Sequence, residues 1–191
     1  MSTQNRRKVA VRAFATEVED AEHQYKQDES DDRSPNLALL PTGVEANRVF
    51  VIGTLTEKDD VGSDNEYWHA RVVDPTGTFH VYAGQYQPKA ASLIRETETP
   101  EYVALTGKVS RYELDDGGFN VTLRPETMTV TNQDTRNRWL LETAEKTIDR
   151  IAAFRDTSSE DTESVQARAR NEYEPDMSYI EADVKDALLS I

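Results

Sequence analysis

The residues best suited to chemistry crowd into one stretch, EYWHARVVDPTGTFHVYAGQYQP, residues 66–88. It holds five aromatics, two histidines and one arginine around a Pro-Thr-Gly turn. Side chains alternate across a strand. Trp68, Ala70 and Val72 therefore share one face, and Tyr67, His69, Arg71 and Val73 the other. After the turn, Phe79, Val81 and Ala83 alternate with His80 and Tyr82. One face of such a hairpin fills a core, and the other can offer rings and cations to a ligand. A ring stacked on a nucleobase contributes about 1–3 kcal/mol and accepts any base, so two platforms suffice for useful affinity. Trp68, Tyr82 and Phe79 are the candidate platforms for a single-stranded nucleic acid. The competing expectation puts Trp68 and Phe79 in the core and Tyr82 and Tyr86 at its rim. Arg48, Arg71, Arg111 and Arg124 are candidates to pair with phosphates or stack on bases; otherwise they serve as surface partners for the many acids.

Catalysis has little support in the same residues. The chain has no serine nucleophile elbow, no phosphate-cradling glycine loop and no paired-acid motif above its acidic background. His69 and His80 can face each other across the hairpin, but no carboxylate is clearly placed to complete a metal site with them. His23, His69 and His80 are expected to be ordinary surface histidines. DDVGSDNE at 59–66 does not match a calcium loop and is expected to be a solvated loop. No cofactor, no metal and no enzymatic activity are expected.

The balance of charge is one that repels a nucleic acid at low salt. Asp and Glu number 36 against 22 Lys and Arg, a formal net charge of -14. The acids are scattered in EVEDAE, QDESDD, EKDD, ELDD and SSEDTE, and the cations are 15 Arg with only 7 Lys. An ordinary acidic protein has the same formal charge. A cytoplasm at molar salt also favours a scattered acidic surface with few lysines. There the Debye length is roughly 3 Å, so net charge no longer forbids DNA binding. Counter-ion release then contributes little, and short-range stacking must contribute more. The chain has no cysteine, no run of about 18 apolar residues and no apolar signal core at its N-terminus. These features favour a cytoplasmic protein.

The elements that must position the hairpin follow from periodicity. RRKVAVRAFATEVE at 6–19 places Val11, Phe14 and Val18 at helical spacing, so residues 1–20 are expected to hold an N-terminal helix. Residues 21–46 lack a sustained pattern and are expected to be a loop or linker. From about residue 47 the period becomes two. Strands are expected at 48–58, 67–74, 78–84, 102–114 and 119–131, with a helix at 87–97 entered through Pro88. Gly53 and Gly107 lie inside the two long strands, where a glycine marks a bulge or a barrel corner. Three strands, a helix and two strands are the expected order of a five-stranded OB barrel, here over residues 47–131. A β-sandwich needs about seven strands, and there is no room for them.

The last third is expected to be helical. Leu140, Ala144, Ile148 and Ile151 form one stripe in a helix over 132–156. Residues 157–175 are expected to be a flexible acidic linker. Residues 176–191 form a terminal amphipathic helix whose apolar side carries Ile180, Val184 and Leu188. Both stripes are candidate partner surfaces, unless they fold back on their own barrel.

The fold class expected is thus mainly β with flanking helices. Within it, SPNLALLPTGVEANRVF, NRVFVIGTLTEKDDVG and YWHARVVDPTGTFHVYAGQYQPKAASLI resemble the replication protein A-associated proteins of haloarchaea. The resemblance spans about residues 6–155. It implies an accessory subunit of a single-stranded DNA-binding complex in DNA replication and repair, without enzymatic activity. It implies the replication protein A large subunit as partner, with single-stranded DNA bound directly or through the complex. It also places Trp68, ahead of the DPTG turn, where related barrels carry a base-stacking aromatic. The alternative is a pure interaction protein that stabilises the larger subunit without touching DNA. Related larger subunits often add a cysteine-rich zinc finger, which this cysteine-free chain does not have.

Overall fold

The period-two segments form five long strands that close on themselves. In the computed structural model, which describes residues 9–156 and 164–191, the chain begins with β1 (Val11–Arg12) and α1 (Ala15–Glu19). A small antiparallel sheet follows, made of β2 (Gln24–Lys26), β3 (Asn36–Leu40) and β4 (Val44–Ala46). The barrel strands are β5 (Val49–Asp60), β6 (Trp68–Asp74), β7 (Gly77–Ala83), β8 (Glu101–Glu113) and β9 (Phe119–Val130). Helix α2 (Pro88–Glu96) lies between β7 and β8. The chain ends in α3 (Gln133–Asp156), α4 (Val165–Tyr173) and α5 (Met177–Leu188).

Closure depends on β5, which pairs with two other barrel strands. Val49–Leu55 pair with β8, and Thr54–Asp60 pair with β6. The strand must bend where it changes partner, and a register shift follows between Leu55 and Glu57. Gly53 sits at this bend, where a Cβ would lie 2.6 Å from the Val73 carbonyl oxygen. No side chain fits there. Gly107 marks the register shift between β8 and β9. The circuit closes through one parallel contact, Val81 with Leu123. Inward positions such as Val51, Leu55, Val72, Val81, Leu105 and Leu123 are almost fully buried.

Four departures from the sequence expectations have physical causes. The N-terminal helix is shorter than the spacing of Val11, Phe14 and Val18 predicts, because Val11 pairs in parallel with Val49 and keeps the chain extended. Tertiary pairing overrides weak helical propensity there. Phe14 then plants its ring edge-on against Trp139, with centroids 5.6 Å apart. Residues 21–46 are a three-stranded sheet for much of their length. Leu37–Leu40 are all buried because β3 contacts both β8 and α4. The acidic segment expected to be a linker contains α4; its first part, residues 157–163, lies outside the described residues.

The fourth departure concerns the proposed partner surfaces. Leu140, Ala144 and Ile151 on α3 are buried in the chain's own core, as are Ile180 and Val184 on α5. Leu188 is partly buried against the same core. Helix α3 packs against β1 and β5, and α5 packs against α3 and α1. Ile148 alone among the α3 candidates remains outside, 49% exposed. No helix among the described residues is long and apolar enough to cross a membrane.

Candidate nucleic-acid interface

The β6–β7 hairpin is held by an acid at its tip. Pro75 and Thr76 make the turn, and the Asp74 carboxylate accepts hydrogen bonds from Thr76 N, Thr76 Oγ1 and Gly77 N at 2.7, 2.7 and 3.1 Å. Its second oxygen accepts from Ala15 N at 2.8 Å, which ties the turn to the start of α1. Burial pushes the Asp74 carboxyl from its ordinary 3.8 up to about 6, against the pull of these donors. A raised value favours the protonated form in the fold. The stabilisation that follows is complete below pH 3.8 and is lost as pH rises through about 6. Over that window the parent protein should lose stability relative to Asp74→Asn by on the order of 2–3 kcal/mol. Thermal melts of both proteins across the window measure this; a constant gap would mean that Asp74 protonation is not linked to folding.

Strand register then sets the rings. His69 pairs directly with Tyr82, and Arg71 with His80. His69 stacks on Tyr82 with centroids 4.5 Å apart and planes 14° apart. Tyr67 stacks on the other side of Tyr82 at 5.7 Å, and His80 stacks on His69 at 5.3 Å. Four rings thus form a continuous ladder across the outward face of the hairpin. Gly84 makes room for it, since a Cβ there would lie 2.7 Å from the Tyr67 ring. His69 Nε2 and His80 Nδ1 are 3.0 Å apart, so one ring donates to the other. Desolvation lowers the pKa of both histidines, and His69 lowers that of His80 further. The ladder is therefore a neutral stacking surface at neutral pH. Burial first, then Tyr67 and Tyr112, raises the Tyr82 phenol.

The candidate residues distribute unevenly around this ladder. Trp68 lies on the opposite, inward side with Ala70 and Val72 and packs partly against the core, its Nε1 enclosed. Phe79 is 2% exposed and belongs to the core. Neither presents a ring where the ladder does, because the strand alternation turns both inward. Arg48 is 8% exposed and clamps Glu126 through Nε at 2.6 Å, fastening the start of β5 to β9. Arg71 stays at the edge of the ladder, paired with Glu57 at 3.1 Å. Arg111 lays its guanidinium 3.2 Å from the centroid of Phe119, beside the exposed Tyr112. Arg124 is exposed on β9. Tyr67, His69 and His80 are the functional candidates that the choice of Trp68 passes over. The signal for them is the alternation itself, once Ala70 and Val72 are seen to need the interior. Among the described residues, no three metal-ligating side chains converge.

No family model matches this chain, and no curated protein does. Solved structures do. A chain of the S. pombe Stn1-ten1 complex is 11% identical with a TM-score of 0.52, covering 61% of this chain and 82% of that one. The barrel is an OB fold. Its other structural neighbours include the second single-stranded DNA-binding protein (SSBb) of Mycobacterium smegmatis, 15% identical, TM-score 0.38, covering 44% of this chain and 84% of that one. The mitochondrial single-stranded DNA-binding protein Rim1 of S. cerevisiae is 16% identical, TM-score 0.35, covering 44% of this chain and 92% of that one. At these identities the likeness is one of fold. In this OB barrel the ladder occupies the outer side of the second and third strands. The loop at 61–67 leads into it, and the loop at 114–118 lies beside Arg111 and Phe119.

Proposed function

We propose that this chain binds single-stranded DNA on the outer face of the β6–β7 hairpin, as a non-enzymatic accessory subunit of a replication protein A-type complex in replication and repair. The observation that carries the reading is the ladder of Tyr67, Tyr82, His69 and His80, with stacking distances of 4.5–5.7 Å. An OB barrel presents oligonucleotides to this face and its two flanking loops. Neutral rings suit a chain of net charge -14, because stacking survives salt that screens long-range attraction. The scattered acids are consistent with a cytoplasm at high salt.

A protein partner also has a surface on which to dock. With the inner stripe of α3 committed to the barrel, its outer side keeps Leu141 and Ile148 exposed at 54% and 49%. They stand two turns apart on one side of the helix, which suits the larger subunit.

The reading is tested by fluorescence anisotropy with a labelled oligo(dT) and with a duplex of the same length. The single strand should bind and the duplex should not, because paired bases cannot reach the ladder. Equal affinity for both, or no binding of either at any salt, would remove the stacking role. In the second case, copurification with the larger subunit would leave the pure interaction reading.

A further inference from the structure

One cleft of the structure runs opposite to the charge of the chain. It measures about 650 Å³ and lies between the loop that joins β2 to β3 and the outward faces of β8 and β9. Lys26, Arg33, Arg48, Lys108 and Arg124 line it, with Asp32 as the only acid. The whole chain has 36 acids to 22 cations, so this is a local inversion. Two of the cations are already engaged: Arg48 with Glu126, and Lys26 with the fully solvated Asp32 at 3.2 Å. Arg33, Lys108 and Arg124 have no ion pair among the described residues.

The placement of Lys108 and Arg124 is the decisive feature. They are direct cross-strand partners on the outward face of β8 and β9. Like charges directly opposite each other destabilise a strand pair. Among the described residues neither forms an ion pair with a carboxylate; Glu126, which lies beside both, is clamped by Arg48. An anion lodged between them would relieve that repulsion. The pair also adjoins the ladder. Val81 on β7 pairs with Leu123 on β9, and the next residue on each strand, Tyr82 and Arg124, points outward. The path from Tyr82 to Arg124 to Lys108 leads into the cleft.

We propose that this cleft is a phosphate-binding channel that holds the backbone of a single-stranded nucleic acid as it leaves the ring ladder. The inference rests on the stacking reading above and adds to it a place for phosphates. Each phosphate neutralised by a cation adds a fixed increment to the salt dependence of single-strand binding, about 0.7 in the slope of log affinity against log salt. The test compares the full chain with Lys108→Ala/Arg124→Ala, using labelled oligo(dT) over the salt range in which circular dichroism is unchanged. Both residues are exposed and mutually repulsive, so the double variant should melt no lower than the parent. Its slope should be shallower by about 1.4, two phosphate contacts' worth. Tyr82→Ala should weaken binding and leave the slope as it was. A double variant with the parent's slope overturns the channel and leaves the ladder standing. A parent chain that binds no oligo(dT) overturns both. Inorganic tripolyphosphate bound as tightly as the oligonucleotide would assign the cleft to a free anion and overturn the backbone assignment.

Discussion

Replacing Arg150 with methionine is expected to destabilise the fold by about 3–5 kcal/mol, the cost of leaving a buried charge without its partner. The charge is that of Glu17, which is 0% exposed on α1. Arg150 reaches it from α3, with Nη2 at 2.8 and 2.9 Å from the two carboxylate oxygens and Nε at 3.1 Å. The other donors to Glu17 are neutral: Thr42 Oγ1 at 2.8 Å, Thr147 Oγ1 at 2.9 Å and Phe14 N at 3.2 Å. They hydrogen-bond the carboxylate but cannot neutralise it. Arg150 also donates to the Arg12 carbonyl at 3.1 Å, so the loss loosens β1 as well. The network joins α1, the β3–β4 turn and α3, three segments far apart in the chain. A double-mutant cycle with Glu17→Met, read by chemical denaturation, measures the coupling. The double variant should be clearly more stable than Arg150→Met alone, since a buried ion pair replaced by apolar groups is often neutral. Additive losses would show that the two charges do not stabilise each other.

Tyr82→Ala is expected to weaken oligo(dT) binding by about 1–3 kcal/mol, roughly 5- to 150-fold. Tyr82 is the centre of the ladder, with Tyr67 on one side and His69 on the other. Both faces of Tyr82 are covered by these neighbours, so its loss acts through them: Tyr67 and His69 lose the ring that orients the ladder. The ring is on the outer face, so the barrel interior is unchanged and the melting temperature should move little. Trp68→Ala should behave in the opposite way. Trp68 packs partly against the core beside Ala83, its cross-strand partner, so its truncation should lower stability more than it lowers affinity. Tyr82→Phe keeps the ring and should retain most of the binding. Unchanged affinity of Tyr82→Ala would mean that the ladder stacks only on itself.

The contrast between Tyr82 and Trp68 shows where local pattern stops being informative. Alternation sorts the hairpin into two faces, and both faces carry aromatics. Sequence spacing alone does not say which face the barrel closes over. That is set by Ala70 and Val72, whose small and branched side chains fit the interior, and by the register that puts Tyr82 across from His69. Phe79 and Arg48 illustrate the same limit. An arginine at a strand start can face water or seal an edge, and it was Glu126, nearly eighty residues on, that drew Arg48 inward. The terminal helices were legible as amphipathic because a 3.6-residue period is local. Their destination was not, since the barrel and a partner subunit offer the same kind of apolar face.

The barrel is encoded locally: five period-two segments, the helix after the third, the turn at 75–77 and the glycines at 53 and 107. Each of these is written in a few consecutive residues, through side-chain alternation, turn chemistry or the absence of a Cβ. The small sheet of β2, β3 and β4, the return of α3 and α5 to the core, and the meeting of Glu17 with Arg150 arise only in the folded chain. So do the stacking of four rings from one hairpin into one surface and the gathering of scattered cations along one cleft. These depend on contacts between residues distant in the chain, whose free energy appears only when closure of the barrel brings them together.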